Sequence, residues 1–244
     1  MWGSWVARVK VVLRSDVSGC RTFITGFHGI GFVGSLAVDY LVYKLSASRV
    51  GYVMTNKMPP YVSLSGGRVL LPYELYRRGD LLLLRCNLPV STAEMHTLTA
   101  GVARWVARSR LEEAVLIGGL DGRFRESESE KLRLAPTRRF LSQYPGKVRG
   151  KLLEEGLYII GPLALLLAYF EALDFPALTV LPYVSVEGAD PRAASVAIRY
   201  LNEVYGLEVD TAELEERGAE IEAELLERRR KLEEATRSSR LYYI

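Results

Sequence analysis

The 244-residue chain has few of the side chains on which metal sites and enzymes depend. Its two cysteines, Cys20 and Cys86, are far apart and form no CxxC pair, so we interpret them as small buried hydrophobic residues. The two histidines, His28 and His96, are also separated, and no metal site is predicted. No serine or cysteine has the sequence context of a catalytic nucleophile. These absences favour a binding protein over an enzyme, and one without a cofactor.

Long apolar runs and a large net charge are missing as well. The longest uncharged apolar stretch, residues 156–170, is too short to span a bilayer, and we interpret it as a buried strand followed by a buried helix. The N-terminus shows no signal-peptide pattern. A net charge of +3 is too small to indicate nucleic-acid binding. We expect a cytoplasmic protein that binds neither membrane nor nucleic acid. Scarce side-chain amides favour a heat-adapted source.

Strand-like and helix-like segments alternate through most of the chain. Apolar runs predict strands at residues 22–27, 49–54, 80–85, 113–117, 157–160 and 177–181. Helices are predicted after the first strand, from a capping box of Ser91 with Glu94, from Pro162 and from Pro191. This alternation indicates an α/β domain over residues 1–206, with a mostly parallel sheet and helices on both faces. The polar residues 121–136 are predicted to form a mobile insertion.

The C-terminal segment has a different pattern. Residues 207–237 predict a charged amphipathic helix capped by Asp210, with acidic residues early and basic residues late, as the helix dipole favours. Its apolar seam alternates steps of four and three, the coiled-coil rhythm, at Leu214, Gly218, Ile221, Leu225, Arg228, Leu232 and Ala235. The helix packs on its own domain or projects as an arm, and both arrangements are compatible. Residues 238–244 are predicted to be a flexible tail.

A glycine loop between a strand and a helix is the best argument for an alternative function. Gly29, Gly31 and Gly34 match the GxGxxG dinucleotide fingerprint, and a helix N-terminus attracts phosphate. The candidate ligand loop also includes Gly26 and His28, and a nucleotide- or small-ligand-binding protein or enzyme would use it. However, the second strand is followed by Thr-Asn-Lys instead of the acidic residue that binds ribose. Tight strand-to-helix packing would also require such glycines.

Several motifs together resemble the proteasome assembly chaperone family, in order and in spacing. They are residues 26–37, 80–84, 115–120, 161–167 and 190–194 followed by 206–210, and the match covers about residues 20–225. The resemblance implies an α/β sandwich related in shape to nucleoside phosphorylases, without established catalysis. Three features depart from the family pattern. His28 stands where proline is common, the glycine-rich segment before Pro162 is thin, and the 121–136 segment has no counterpart.

The last three residues, Tyr242, Tyr243 and Ile244, form a hydrophobic-Tyr-X ending with large apolar area, a hydroxyl and a carboxylate. Archaeal members of the resembled family form homo-oligomers, and some dock such a tail on the α ring of the 20S proteasome. By resemblance, the Ile244 carboxylate pairs with a lysine between two α subunits, Tyr243 lies against the pocket wall and Tyr242 fills its mouth. The expected function is that of an assembly chaperone or an ATP-independent activator or adaptor.

Overall fold

The computed structural model describes residues 9–60, 62–185 and 188–216, together with residues 218, 220, 223, 224, 226, 227, 230, 231 and 234. The predicted tail, including Tyr242, Tyr243 and Ile244, lies outside the described residues.

The strands are β1 Val9–Leu13, β2 Thr22–Gly26, β3 Ser48–Thr55, β4 Ser63–Ser65, β5 Arg68–Leu70, β6 Tyr73–Arg78, β7 Leu81–Cys86, β8 Glu113–Ile117, β9 Leu120–Asp121, β10 Leu132–Pro136 and β11 Ala177–Val184. The α-helices are α1 Val33–Lys44, α2 Thr92–Arg108, α3 Arg138–Gln143, α4 Gly161–Ala172, α5 Pro191–Tyr205 and α6 Ala212–Glu216.

The main sheet has nine strands within the described residues, in the order β1-β3-β6-β7-β2-β8-β11-β10, with β9 beside β11. The central strands β7, β2, β8 and β11 are parallel, and they are apolar because both of their faces are covered. The antiparallel strands β1, β3 and β6 lie at one edge and β10 at the other, so the sheet is mixed. The predicted helix-flanked, mostly parallel α/β sheet is confirmed. The strands β4 and β5 form a separate antiparallel ribbon.

The helices cover the two faces of the sheet in two separate cores. On one face α1 packs beside α5, and Leu214 of α6 joins their core. On the other face α2 packs beside α4 in a core that includes Cys20 and Cys86. Both cysteines are buried and free, as interpreted from the sequence. No helix in the described part of the chain is long and apolar enough to cross a bilayer.

The C-terminal helix begins shortly after Asp210. The Asp210 carboxylate accepts a hydrogen bond from the Ala212 backbone N–H at 3.0 Å, and α6 follows. The described residues from 218 to 234 are also helical. Two of its later basic residues, Arg230 and Lys231, pair with Glu227 of the same helix at 3.0 and 3.4 Å.

The predictions of a strand at residues 157–160 and of a mobile insertion at residues 121–136 are wrong. Residues 157–160 form no strand, and Tyr158 and Ile160 are 82% and 68% exposed. A short apolar sequence alone does not distinguish a buried strand from an apolar surface segment. Within the supposed insertion, residues 132–136 form the edge strand β10. There Arg133 is only 1% exposed and pairs with Glu126, Glu130 and Glu154.

The capping box predicted at α2 is also absent. Ser91 stands at the N-cap position, but its side chain makes no capping hydrogen bond. Glu94 is fully buried and accepts hydrogen bonds from the hydroxyls of Thr55 and Tyr73 at 2.5 and 2.7 Å. The carboxylate therefore ties the helix to β3 and β6 instead of closing the helix end.

Candidate functional site

The glycine loop lies at the carboxyl end of the central strand β2, where ligands bind in many α/β sheets. After Gly26 the chain makes a short 3₁₀ turn at Ile30–Phe32 and enters α1. Gly31 and Phe32 both have positive φ, 61° and 51°. The Gly31 carbonyl accepts a hydrogen bond from the Asp190 backbone N–H at 2.8 Å, so the start of α5 holds the turn.

Three of the loop glycines allow close backbone packing. A Cβ atom added at Gly26 would lie 2.4 Å from the Gly34 carbonyl oxygen, and one at Gly34 would lie 2.3 Å from the Ile117 carbonyl oxygen. A Cβ at Gly31 would meet Val184 at 2.7 Å. At Gly29, by contrast, a Cβ would have no neighbour within 4 Å. The fingerprint spacing therefore reflects the contact of β2 with α1, together with the contacts of Gly34 with β8 and of Gly31 with β11.

The N-terminus of α1 is not open to an anion. Its first residues, Val33, Gly34 and Ser35, are buried, and the Ser35 hydroxyl donates to the Phe32 carbonyl at 3.0 Å. A phosphate binds at a helix N-terminus only when it can reach the free N–H groups there. The geometry favours the packing interpretation of the glycines. Nucleotide binding stays the alternative function, without support from the geometry.

His28 is half-buried at the same turn, with its ring edge-on to Phe32 at 5.9 Å between centroids. Burial lowers its pKa to about 4, so the imidazole is neutral at pH 7 and does not attract phosphate. Its Nδ1 atom has no hydrogen-bond partner among the described residues. Asp39, farther along α1, pairs instead with Arg85 at 2.8 Å. The structure does not bring His28 and Asp39 together as a catalytic pair.

Buried carboxylates are the polar feature that sequence reasoning missed. Glu74 is fully buried in β6 and accepts hydrogen bonds from Arg49 and the Tyr76 hydroxyl, both at 2.8 Å. Glu113 is buried at the start of β8 and accepts from Lys147 at 2.5 Å and from the Tyr205 hydroxyl at 3.1 Å. Burial and this carboxylate raise the pKa of Tyr205. Both carboxylates are satisfied by the protein itself, which indicates a structural role.

Two cavities of the described structure lie away from the glycine loop. A cavity of about 230 Å³ adjoins Cys20, Leu82 and Trp105, and a groove of about 800 Å³ runs along α2 beside Val9 and Tyr169. The exposed His96 of α2 borders that groove. No group of three or more metal-ligating side chains occurs among the described residues.

The family of the chain follows from the comparison with known proteins. Residues 23–228 match the PAC2 family, and the chain belongs to this family. The resemblance to the proteasome assembly chaperones that the sequence motifs suggested is confirmed. No curated protein gives a significant match.

Several solved structures share the fold. PbaA of Pyrococcus furiosus, an archaeal homologue of proteasome-assembly chaperone, is 21% identical with a TM-score of 0.80, covering 94% of this chain and 100% of its own. PbaB of the same organism, an archaeal proteasome activator, is 23% identical with a TM-score of 0.71, covering 92% and 98%. A Thermoplasma acidophilum protein of unknown function is 21% identical with a TM-score of 0.71, covering 89% and 90%.

Proposed function

We propose that this protein binds the α ring of the 20S proteasome through Tyr242, Tyr243 and Ile244, as an assembly chaperone or ATP-independent activator. One observation carries the proposal: a hydrophobic-Tyr-X sequence closes a chain that belongs to the PAC2 family. The names of PbaA and PbaB, one a chaperone homologue and one a proteasome activator, support the same partner.

The docking chemistry follows from the three side chains. The Ile244 carboxylate pairs with a lysine between two α subunits, and a charge-assisted contact of this kind fixes the register of the tail. The Tyr243 ring buries apolar area against the pocket wall while its hydroxyl keeps a hydrogen-bond partner. Tyr242 covers the mouth of the pocket. The interaction needs neither a metal nor a cofactor.

A binding role agrees with the polar chemistry of the domain. The buried carboxylates Glu74, Glu94 and Glu113 are each held by side-chain donors of the protein itself. In the glycine loop, Gly26 and Gly34 are taken up by close backbone packing. These features support a rigid scaffold that presents a C-terminal segment and does not carry out a reaction.

Tight binding by this mechanism requires an oligomer that presents several tails. Three residues bury little area, so one tail binds weakly, whereas several tails on a symmetric oligomer bind with a high effective concentration. The proposed active form is therefore a homo-oligomer. The described residues of the C-terminal helix from 220 to 234 are mostly exposed, which supports a helical arm in front of the tail.

The test is native mass spectrometry of the full chain and of a variant lacking residues 242–244, each alone and with archaeal 20S particles. We expect a complex only with the full chain. Tyr243→Ala is expected to lose most of the affinity. Tyr43→Ala, which removes a tyrosine 71% exposed on α1, is the matched control and should bind normally. Equal binding by the tail-deleted protein would exclude the docking mechanism, and a co-purified ligand would support the nucleotide alternative.

A further inference from the structure

The outer surface of α2 and α4, which we name the α2–α4 face, combines a basic side with an apolar side. On the basic side, Arg104 and Arg108 are exposed on α2, and Lys10 is exposed on the edge strand β1. None of these three forms an ion pair with the residues that the structure describes. The groove of about 800 Å³ runs between them, with Trp105 and Tyr169 in its wall.

The apolar side is the outward surface of α4. Leu163, Leu166 and Phe170 point into the core, but Leu165 is only half-buried and Ala168 is exposed. Glu171, in the last turn, is the one charged residue of α4. A helix with so apolar a surface is normally covered by a neighbour. The two sides together fit an amphipathic helix with an acidic row and an apolar row.

The C-terminal helix of this chain has that composition. Glu216, Glu220 and Glu224 are exposed and spaced by four, so they form one row along the helix. In the sequence, Ile221 directly follows Glu220 and Leu225 directly follows Glu224. Arg104 and Arg108 on α2 are also four residues apart. Two helices laid side by side would therefore bring opposite charges together at the same interval of one turn.

The helix that occupies the face must come from another molecule. In its own domain the start of the C-terminal helix packs on the opposite side of the sheet, where Leu214 is 1% exposed in the α1–α5 core. Glu213 pairs there with Lys44 at 2.7 Å. The whole sheet separates this anchoring point from the α2–α4 face. A second copy meets no such barrier.

We infer that the acidic C-terminal helix of one copy lies on the α2–α4 face of a second copy. Its glutamate row faces Arg104 and Arg108, and its apolar row covers the surface of α4. The inference rests on the homo-oligomer of the proposed function, for which it names the contact surface, and it does not depend on docking to the proteasome. Because salt screens the attraction between the two charged rows, the assembly is expected to weaken at high salt.

A charge exchange tests this contact, with oligomer mass and dissociation constants measured by light scattering and native mass spectrometry. The base-reversed variant carries Arg104→Glu and Arg108→Glu, and the acid-reversed variant carries Glu216→Arg and Glu224→Arg. Each alone is expected to dissociate at least about tenfold more readily than the wild type. An equal mixture is expected to form mixed oligomers, because the basic helix of one variant then matches the acidic groove of the other.

Controls separate this contact from misfolding and from docking. Arg68→Glu with Arg78→Glu reverses two exposed arginines elsewhere and should leave the assembly intact. Circular dichroism should show both reversed variants folded. Deleting residues 242–244 should leave the oligomer unchanged, so failure of docking and failure of this contact are distinguishable. A monomeric wild type, intact oligomers in both reversed variants, or a mixture of folded variants that does not associate would overturn the inference.

Discussion

Gly26 at the end of β2 lies directly against Gly34 in the first turn of α1: a Cβ at Gly26 would be only 2.5 Å from the Gly34 Cα. Backbone atoms on both sides of this contact cannot move away as a flexible side chain could. The contact sets the distance between the central strand and the helix that covers it.

We expect Gly26→Ala to lower the free energy of unfolding by about 3 kcal/mol, because an extra carbon in a packed site forces the backbone apart. Gly29→Ala, in the same loop but with open space at Cβ and a negative φ, should change it by less than about 0.5 kcal/mol. Urea denaturation of both variants measures the difference. Equal effects at the two positions would contradict the packing role of the contact between Gly26 and Gly34.

Because of His28, we expect the protein to become less stable as the pH falls. Its folded pKa of about 4 lies below the ordinary value of 6.5, so between these values the unfolded chain takes up a proton that the folded chain does not. This loss of stability is absent above pH 6.5, grows as the pH falls towards 4 and reaches about 3 kcal/mol at most.

Denaturation of His28→Phe at several pH values checks this expectation. The variant should lose less stability between pH 6.5 and 4 than the wild type does. His96→Phe, at an exposed position on α2, is the matched control and should keep the wild-type pH profile. An unchanged profile in His28→Phe would show that another group carries the acid sensitivity.

The carboxylate of Ile244 is testable without removing any side chain. One glycine added after Ile244 moves the terminal charge away while Tyr242 and Tyr243 remain. Loss of one partner of a buried charge pair costs about 2 kcal/mol or more, so binding to an immobilised α ring should weaken at least about 30-fold. Biolayer interferometry measures the change, with the unmodified full chain as the reference. Undiminished binding would mean that the carboxylate takes no part in docking.

Nucleotides are not expected to bind the glycine loop. A ligand present at 100 times its Kd stabilises a protein by about 2.7 kcal/mol, which a thermal shift assay detects readily. Millimolar ATP, NAD or nucleoside should therefore leave the melting temperature unchanged. A clear increase would reopen the nucleotide alternative, and Gly29→Val, which fills the open side of the loop, would then show whether the ligand lies there.

The parts of the fold that sequence predicts well are those determined locally. The strand Leu81–Cys86 begins with four consecutive leucines, and the helix Pro191–Tyr205 starts with Pro191 and the cap of Asp190, which accepts from the Ala193 N–H at 2.9 Å. The strands β6 and β10 were missed because each carries a buried charge. Glu74 and Arg133 are tolerated inside only because ion partners from distant segments meet them.

For the candidate sites, too, the sequence predicts some features and not those that depend on distant residues. The glycine motif was found from the sequence, but its meaning depends on Ile117 and Val184, which come from distant strands. The basic side of the α2–α4 face was not predicted, since a sequence does not reveal which arginines lack an acidic neighbour. The docking role of Tyr242, Tyr243 and Ile244 stays a prediction from the sequence and the family.

The position of β2 in the sheet determines the order in which the molecule can form during synthesis. Thr22 makes its side-chain hydrogen bond with Glu113, 91 residues later, and β7 on the other side is also distant in sequence. The apolar β2 therefore leaves the ribosome long before either neighbour exists. A nascent chain must keep this strand from aggregating until β8 has emerged, and contacts over such separations make folding slow. A protein of a chaperone family thus presents, while it is being made, the kind of exposed strand that chaperones protect.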